Sequence, residues 1–210
     1  MTEIKNIVFD VGGVLLDYRW KQMLMDYGLT EEEAIRVGTE LFDDKDHLWS
    51  EFDLANYTEK EITDKYCKKH PKDEDVIRFF FEHSEYMPVP RPHIWKQLHQ
   101  IKEMGYSVYL LSNYSKELFH KHTQYTDFIN EVDGMMVSYM IHQVKPYPPI
   151  YEALCEKYQL KMEQCLFFDD RKENVKAAIN LGMKARVVES KEGLYEDLQS
   201  ILDGKINRLL

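Results

Sequence analysis

Cysteine is scarce in this chain, three residues among 210. Cys67, Cys155 and Cys165 are odd in number and lack the paired spacing of a metal site. That argues against a disulfide framework or a zinc ribbon, and the three read as buried or incidental thiols of a reducing compartment. Long apolar runs are also missing, and no stretch approaches the ~18 residues of a membrane span. Met1-Thr2-Glu3-Ile4 lacks the basic-then-apolar pattern of a signal peptide. The expectation is a cytoplasmic protein without a membrane partner. Positive charge is in deficit, 27 basic against 37 acidic residues for a formal net charge of −10. That field repels nucleic acid and anionic lipid. An anionic small molecule must therefore be held by a local cation.

What is present is an ordinary globular composition, 44% hydrophobic and 30% charged. Such a chain buries a sizeable core. The stretch from Ile4 to Asp17 organises the rest. Ile7, Val8 and Phe9 read as a strand apolar on both faces, as in a parallel sheet covered by helices. The strand meets Asp10, and Gly12 and Gly13 follow at a turn. A carboxylate at the end of a buried strand is costly unless something pairs with it.

From Arg19 to about Met87 the pattern is helical and highly charged. Thr30 with Glu33 and Thr58 with Glu61 form capping-box signatures. A turn between these helices is expected from Asp44 to Phe52, where His47, Trp49 and Glu51 are candidates for substrate selection. Pro88, Pro90 and Pro92 then stiffen a connection. Beyond Ile94 the rhythm becomes helix, glycine, strand. Strands are expected at 108–111, 135–137, 166–168 and 185–188, and helices around 94–104, 116–122, 150–158 and 175–181. The tail after Glu192 reads as one more helix. Met135, Met136 and Met140 read as core filling, and His120 and His122 as surface residues.

Strands alternating with helices predict an α/β fold, a Rossmann-like parallel sheet with helices on both faces. In such sheets ligands bind beyond the carboxyl ends of the strands. Polar groups stand at those ends: Asp10, Ser112-Asn113 and Asp169-Asp170, with Lys145 on the same rim. Asp10, Asp169 and Asp170 crowd like charges and call for a cation. All-oxygen ligands suit a hard ion, and Mg²⁺ fits best. A carboxylate nucleophile, a metal, a lysine and hydroxyl donors suit phosphoryl transfer.

Phe9-Asp10-Val11-Gly12-Gly13-Val14, Leu111-Ser112-Asn113, Lys145-Pro146 and Phe168-Asp169-Asp170-Arg171-Lys172-Glu173-Asn174 resemble the four motifs of the haloacid dehalogenase-like hydrolase superfamily, in order. The resemblance implies a core from 1–16 and 88–210 with a small α-helical cap inserted at 17–87. It implies Asp10 as nucleophile, with Asp10, the Gly12 carbonyl and Asp170 as metal ligands; Asp169 joins the metal set through water or from behind those ligands. Ser112, Asn113 and Lys145 would hold the phosphate, and Asn174 would orient the acidic loop. Within the superfamily the chain looks most like the sugar phosphatases that include alpha-D-glucose-1-phosphate phosphatase. The expected enzyme is a Mg²⁺-dependent phosphatase of a small phosphorylated substrate, a monomer or homodimer. One position departs. Phosphatases of this family commonly carry an acid two residues after the nucleophile, and here Gly12 stands there. Asp17 is a lesser candidate for a substitute, and a good leaving group such as an anomeric sugar oxygen needs less help. The alternatives are carbon–halogen hydrolysis on the same nucleophile and a catalytically impaired ligand-binding domain.

Overall fold

In the computed structural model, which describes residues 3–43 and 45–210, the chain begins with β1 (Asn6–Phe9) and β2 (Leu16–Tyr18). Helices α1 (Trp20–Tyr27), α2 (Glu31–Phe42), α3 (Leu48–Asp53), α4 (Glu59–Lys69) and α5 (Glu74–Glu82) follow, then β3 (Pro88–Pro90). The rest alternates: α6 (Pro92–Glu103), β4 (Ser107–Ser112), α7 (Lys116–Thr123), β5 (Gly134–Val137), α8 (Ser138–Ile141), α9 (Pro148–Tyr158), β6 (Cys165–Asp169), α10 (Lys172–Asn180), β7 (Lys184–Val187) and α11 (Lys191–Leu202).

Five strands form one parallel sheet in the order β5-β4-β1-β6-β7. The expected α/β fold with a Rossmann-like sheet is what forms. β1 is central, β4 and β6 flank it, and every residue of β1 and β6 is buried. Their side chains alternate between two apolar layers, as the strand period of two requires. Ile7, Phe9, Leu110 and Phe168 face one layer, and Val8, Leu111 and Phe167 face the other. Each fully buried phenylalanine contributes ~1.5–3 kcal/mol of transfer free energy. Phe9 pairs with Leu110 on one side and Phe168 on the other. This register brings the next polar residues of all three strands to one edge.

Both capping boxes form, with Thr30 and Thr58 each accepting from the backbone N–H of the glutamate three residues on. The cap-turn expectation is corrected, because α3 occupies much of it; Asp44 lies outside the described residues. Leu16–Tyr18 and Pro88–Pro90 pair as an antiparallel ribbon where no strand was expected. Both prolines sit in an edge strand, where a missing N–H does little harm. α1 to α5 lie between its two strands. Two further expectations are corrected: Met140 is an exposed residue, and His122 is buried at 3% exposure. The three cysteines are free and buried, and among the described residues no helix is long and apolar enough to cross a membrane.

Candidate active site

Asp10 leaves β1 with its backbone N–H donating to the Phe168 carbonyl at 2.9 Å. Its side chain is buried and fully engaged. Oδ1 accepts the Val11 N–H at 2.7 Å and the Ser112 hydroxyl at 2.5 Å. Oδ2 faces Lys145 Nζ at 2.9 Å. Burial pushes the Asp10 carboxyl up to about 7; Lys145 opposes that rise, and Asp169 adds to it.

Lys145 is the cation of the site. Its ammonium reaches Asp10, Asp169 at 2.6 Å and the Leu111 carbonyl at 2.8 Å. Burial pulls its pKa down, but the two carboxylates outweigh that and hold it above the usual lysine value. Its backbone is clamped by Asn113, whose Nδ2 donates to the Lys145 carbonyl at 2.9 Å and whose Oδ1 accepts the Lys145 N–H at 2.8 Å. The Asn113 amide is thus used to place Lys145. α7 begins three residues beyond Asn113, with Ser115 as its cap, so Ser112 ends β4 and Asn113 lies in the loop before the helix, neither of them on its first turn.

Asp169 is fully buried. Besides Lys145 it accepts the Arg171 N–H at 2.8 Å and the Asn174 amide at 3.0 and 3.1 Å. Asn174 therefore fixes the acidic loop. Asp170 turns the other way, its residue exposed at the pocket wall, with its carboxyl partly shielded from water there and its pKa raised by that shielding and by Asp169. Its Oδ2 reaches the glycine turn. A Cβ at Gly13 would stand 2.5 Å from that oxygen, at a φ of +70°. Gly13 is thus required both for its conformation and for the close approach of Asp170.

Asp10, Asp169 and Asp170 each bring a carboxylate oxygen within 4.8 Å of the others. Three acids this close, two of them buried, form an all-oxygen donor set that fits a hard divalent cation. The cleft above them encloses about 620 Å³, within the usual range for a small-molecule site. Its far wall is aromatic: Trp20, Phe42 and Trp49, with Phe42 edge-on to both tryptophans. Trp49 lines the cleft as expected. His47 and Glu51 are absent from its described lining, and Glu51 accepts from the Asn56 amide instead.

Sequence reasoning missed three residues around Gly12. A Cβ at Gly12 would lie 2.7 Å from the Tyr18 hydroxyl. That hydroxyl is 2.5 Å from Tyr114 Oη, which is 2.7 Å from His122 Nδ1. The space an acid at position 12 would need is filled. Asp17, the substitute acid considered from sequence, pairs with Arg91 at 3.0 Å. Burial raises its pKa, but hydrogen bonds from the Tyr18 N–H and Arg91 outweigh that and bring it below the usual value, so it is no proton donor at neutral pH. Gly12→Asp is expected to destabilise the fold by ~1–3 kcal/mol through overpacking, with no gain in turnover. Adding Tyr18→Ala is expected to recover most of the lost melting temperature, measured by thermal unfolding.

The sequence profile of the haloacid dehalogenase-like hydrolases matches residues 4–182. The chain belongs to that family and is a hydrolase. A phosphatase of Mycobacterium tuberculosis, MT3486, is 29% identical across 96% of this chain and 98% of its own. Among solved structures, the wild-type HAD family enzyme bt-2542 of Bacteroides thetaiotaomicron, in complex with magnesium and inorganic phosphate, matches with a TM-score of 0.68. It is 21% identical, covering 88% of this chain and 93% of that one. The L-2-haloacid dehalogenase of Xanthobacter autotrophicus, with chloropropionic acid covalently bound, matches at a TM-score of 0.64 and 18% identity over 94% of this chain and 83% of its own. At these identities the structures speak for the fold alone.

Proposed function

We propose that this chain is a Mg²⁺-dependent phosphatase of a small phosphorylated metabolite, a sugar phosphate above all, working through an aspartyl-phosphate on Asp10. The observation that carries the proposal is the set of three carboxylates within 4.8 Å of one another, closed on one side by the buried ammonium of Lys145. Carbon–halogen hydrolysis on the same nucleophile needs no metal, and so does not call for a cluster of three carboxylates. Curated relatives named as phosphatases, and a fold neighbour crystallised with magnesium and phosphate, point the same way.

In this reading, residues 17–87 are a cap over the core formed by 1–16 and 88–210. The aromatic wall of Trp20, Phe42 and Trp49 packs against the organic part of the substrate, as rings pack on the apolar face of a sugar. Asp10, the Gly12 carbonyl and Asp170, with Asp169 through water, would hold Mg²⁺, which would neutralise charge on the phosphate oxygens. Asp10 attacks phosphorus, held by the Val11 N–H and the Ser112 hydroxyl. Lys145 stabilises the negative charge that builds on the transferring group. Ser112 and the backbone around Asn113 add donors. Water then hydrolyses the acyl phosphate and restores Asp10.

The test is a screen of sugar phosphates, nucleotides and phospho-amino acids for phosphate release, with Mg²⁺ and with a chelator. Release that needs Mg²⁺ is the expected result. Chelator-insensitive halide release from 2-haloacids would establish the dehalogenase reading. Silence across the whole panel would leave a binding domain.

A further inference from the structure

The leaving group of a phosphate ester needs a proton, and the groups nearest Gly12 are unable to supply one. The hydrogen-bond directions show why. His122 Nε2 lies 2.8 Å from the Ser84 carbonyl, so that nitrogen carries the hydrogen. Burial pulls the His122 pKa down to about 4, so the ring is neutral and Nδ1 is an acceptor. Tyr114 must therefore donate to Nδ1, and Tyr18 must donate to Tyr114. The one proton of Tyr18 is committed away from the cleft. Asp17 is held as an anion by Arg91.

A further carboxyl reaches the same cleft from the helical segment. Asp53, the last residue of α3, lines it together with Asp10, Gly12, Tyr18 and Tyr114. Its side chain accepts the backbone N–H of Ser115 at the start of α7. Its position is locked by the core: the Ser138 hydroxyl donates to the Asp53 carbonyl at 2.6 Å, and Ser138 in turn accepts the Tyr114 N–H at 2.9 Å. His142 Nδ1 lies 2.7 Å from the next carbonyl, that of Leu54. Tyr18 lines the cleft between Asp10 and Asp53, and burial, with the charges of both acids adding to it, holds its phenol well above the usual value.

We infer that Asp53, delivered from α3, is the acid and base of this site, replacing a group that position 12 has no room to hold. The inference rests on the phosphatase reading. As the bond from phosphorus to Asp10 forms and that to the leaving oxygen breaks, the Asp53 proton passes to the leaving oxygen. The alcohol departs, and Asp53 is left as a carboxylate. Asp53 then takes a proton from the water that attacks phosphorus. The bond to Asp10 breaks, and phosphate leaves with both acids restored. Burial, offset in part by the Ser115 N–H and raised further by Asp10, holds the Asp53 carboxyl near 8, so it is protonated at neutral pH. The charged groups facing it are Asp10, Arg171 and Lys145, and the neighbouring phenols of Tyr18 and Tyr114 stay neutral in this range.

The experiment compares kcat/KM of the wild type and Asp53→Asn for para-nitrophenyl phosphate, whose leaving group needs no proton, and phenyl phosphate, whose leaving group does. Both are assayed with Mg²⁺ across pH. Asp53→Asn is expected to lose ~10²–10⁴-fold in kcat/KM on phenyl phosphate and far less on the nitrophenyl ester, because kcat/KM ends at departure of the leaving group; thermal unfolding checks the fold of the variant. The alkaline fall of the wild-type phenyl phosphate profile is expected to vanish in the variant. With an active wild type, equal losses on both esters, or none on either, overturn the assignment to Asp53. So does a leaving-group-dependent loss that appears in Tyr18→Phe and not in Asp53→Asn. A wild type silent on both esters and on the whole panel of phosphate esters overturns the phosphatase reading, and this inference with it. Where the wild type acts on a sugar phosphate alone, the same comparison is made on that substrate, and an Asp53→Asn variant with undiminished kcat/KM overturns the assignment.

Discussion

Asp10→Asn is expected to lower phosphate release by roughly 10⁴–10⁶-fold, the scale on which removing an enzyme nucleophile acts. It is expected to leave the melting temperature unchanged or raised. The two halves of that result have one origin. Burial raises the Asp10 carboxyl to about 7 from the 3.8 of an ordinary aspartate, so the folded protein keeps a proton that the unfolded chain gives up. The sign follows from linkage: a carboxyl raised on folding favours the native state at low pH, and that benefit is lost as pH climbs from about 3.8 to about 7. Asparagine never has to ionise, so the variant escapes this loss, while the Lys145–Asp169 pair survives intact. Thermal unfolding at pH 5 and pH 8 checks it, with the variant gaining relative to the wild type at the higher pH. A melting temperature that collapses at pH 8 would mean that Asp10 is a structural anion, and the nucleophile assignment would fail.

Lys145→Met is the change with the largest expected cost in stability. The side chain is 1% exposed and lies between Asp10 and Asp169. Removing one partner of a buried ion pair costs ~3–5 kcal/mol, because the remaining charge is left without compensation. Here two carboxylates lose their shared cation. The loss is expected to shrink as pH falls and the acids take up protons, and to shrink when Mg²⁺ is added, which the wild type needs less. Turnover is expected to fall at least ~10²-fold even where the protein is folded. Denaturant unfolding with and without Mg²⁺, at two pH values, separates the two effects. A variant as stable as the wild type at pH 8 without metal would show that Lys145 is not the counter-charge of this cluster.

The core of the site was legible because its residues sit at ends of strands whose apolar runs are unambiguous. Ile7 to Phe9, Val108 to Leu111 and Leu166 to Phe168 each stop at a polar residue, and parallel pairing does the rest. What stayed hidden depends on directions that no spacing encodes. From their positions on one short helix, His120 and His122 both read as surface residues. Only the packing of α7 against the Ser84 turn puts His122 inside, where it meets Tyr114. Tyr18 lies in a three-residue strand paired with a proline-flanked partner, too short for any periodicity to declare. Asp53 ends α3, most of which reads as a turn in the sequence. Asn113 had the right place, but its amide serves the backbone of Lys145. Gly12 stands out in the sequence, though the occupant of the space beside it comes from a tyrosine six positions later.

The strand at the centre of the sheet is the first one made. Val8 pairs with Tyr109 on one side and Phe167 on the other. On a ribosome, the Ile7–Phe9 segment must therefore wait, unpartnered, for most of the polypeptide to emerge. Contacts so distant along the chain slow folding and leave sticky segments uncovered meanwhile. Yield from rapid synthesis is thus expected to depend on temperature and chaperone supply more than the finished molecule's stability suggests.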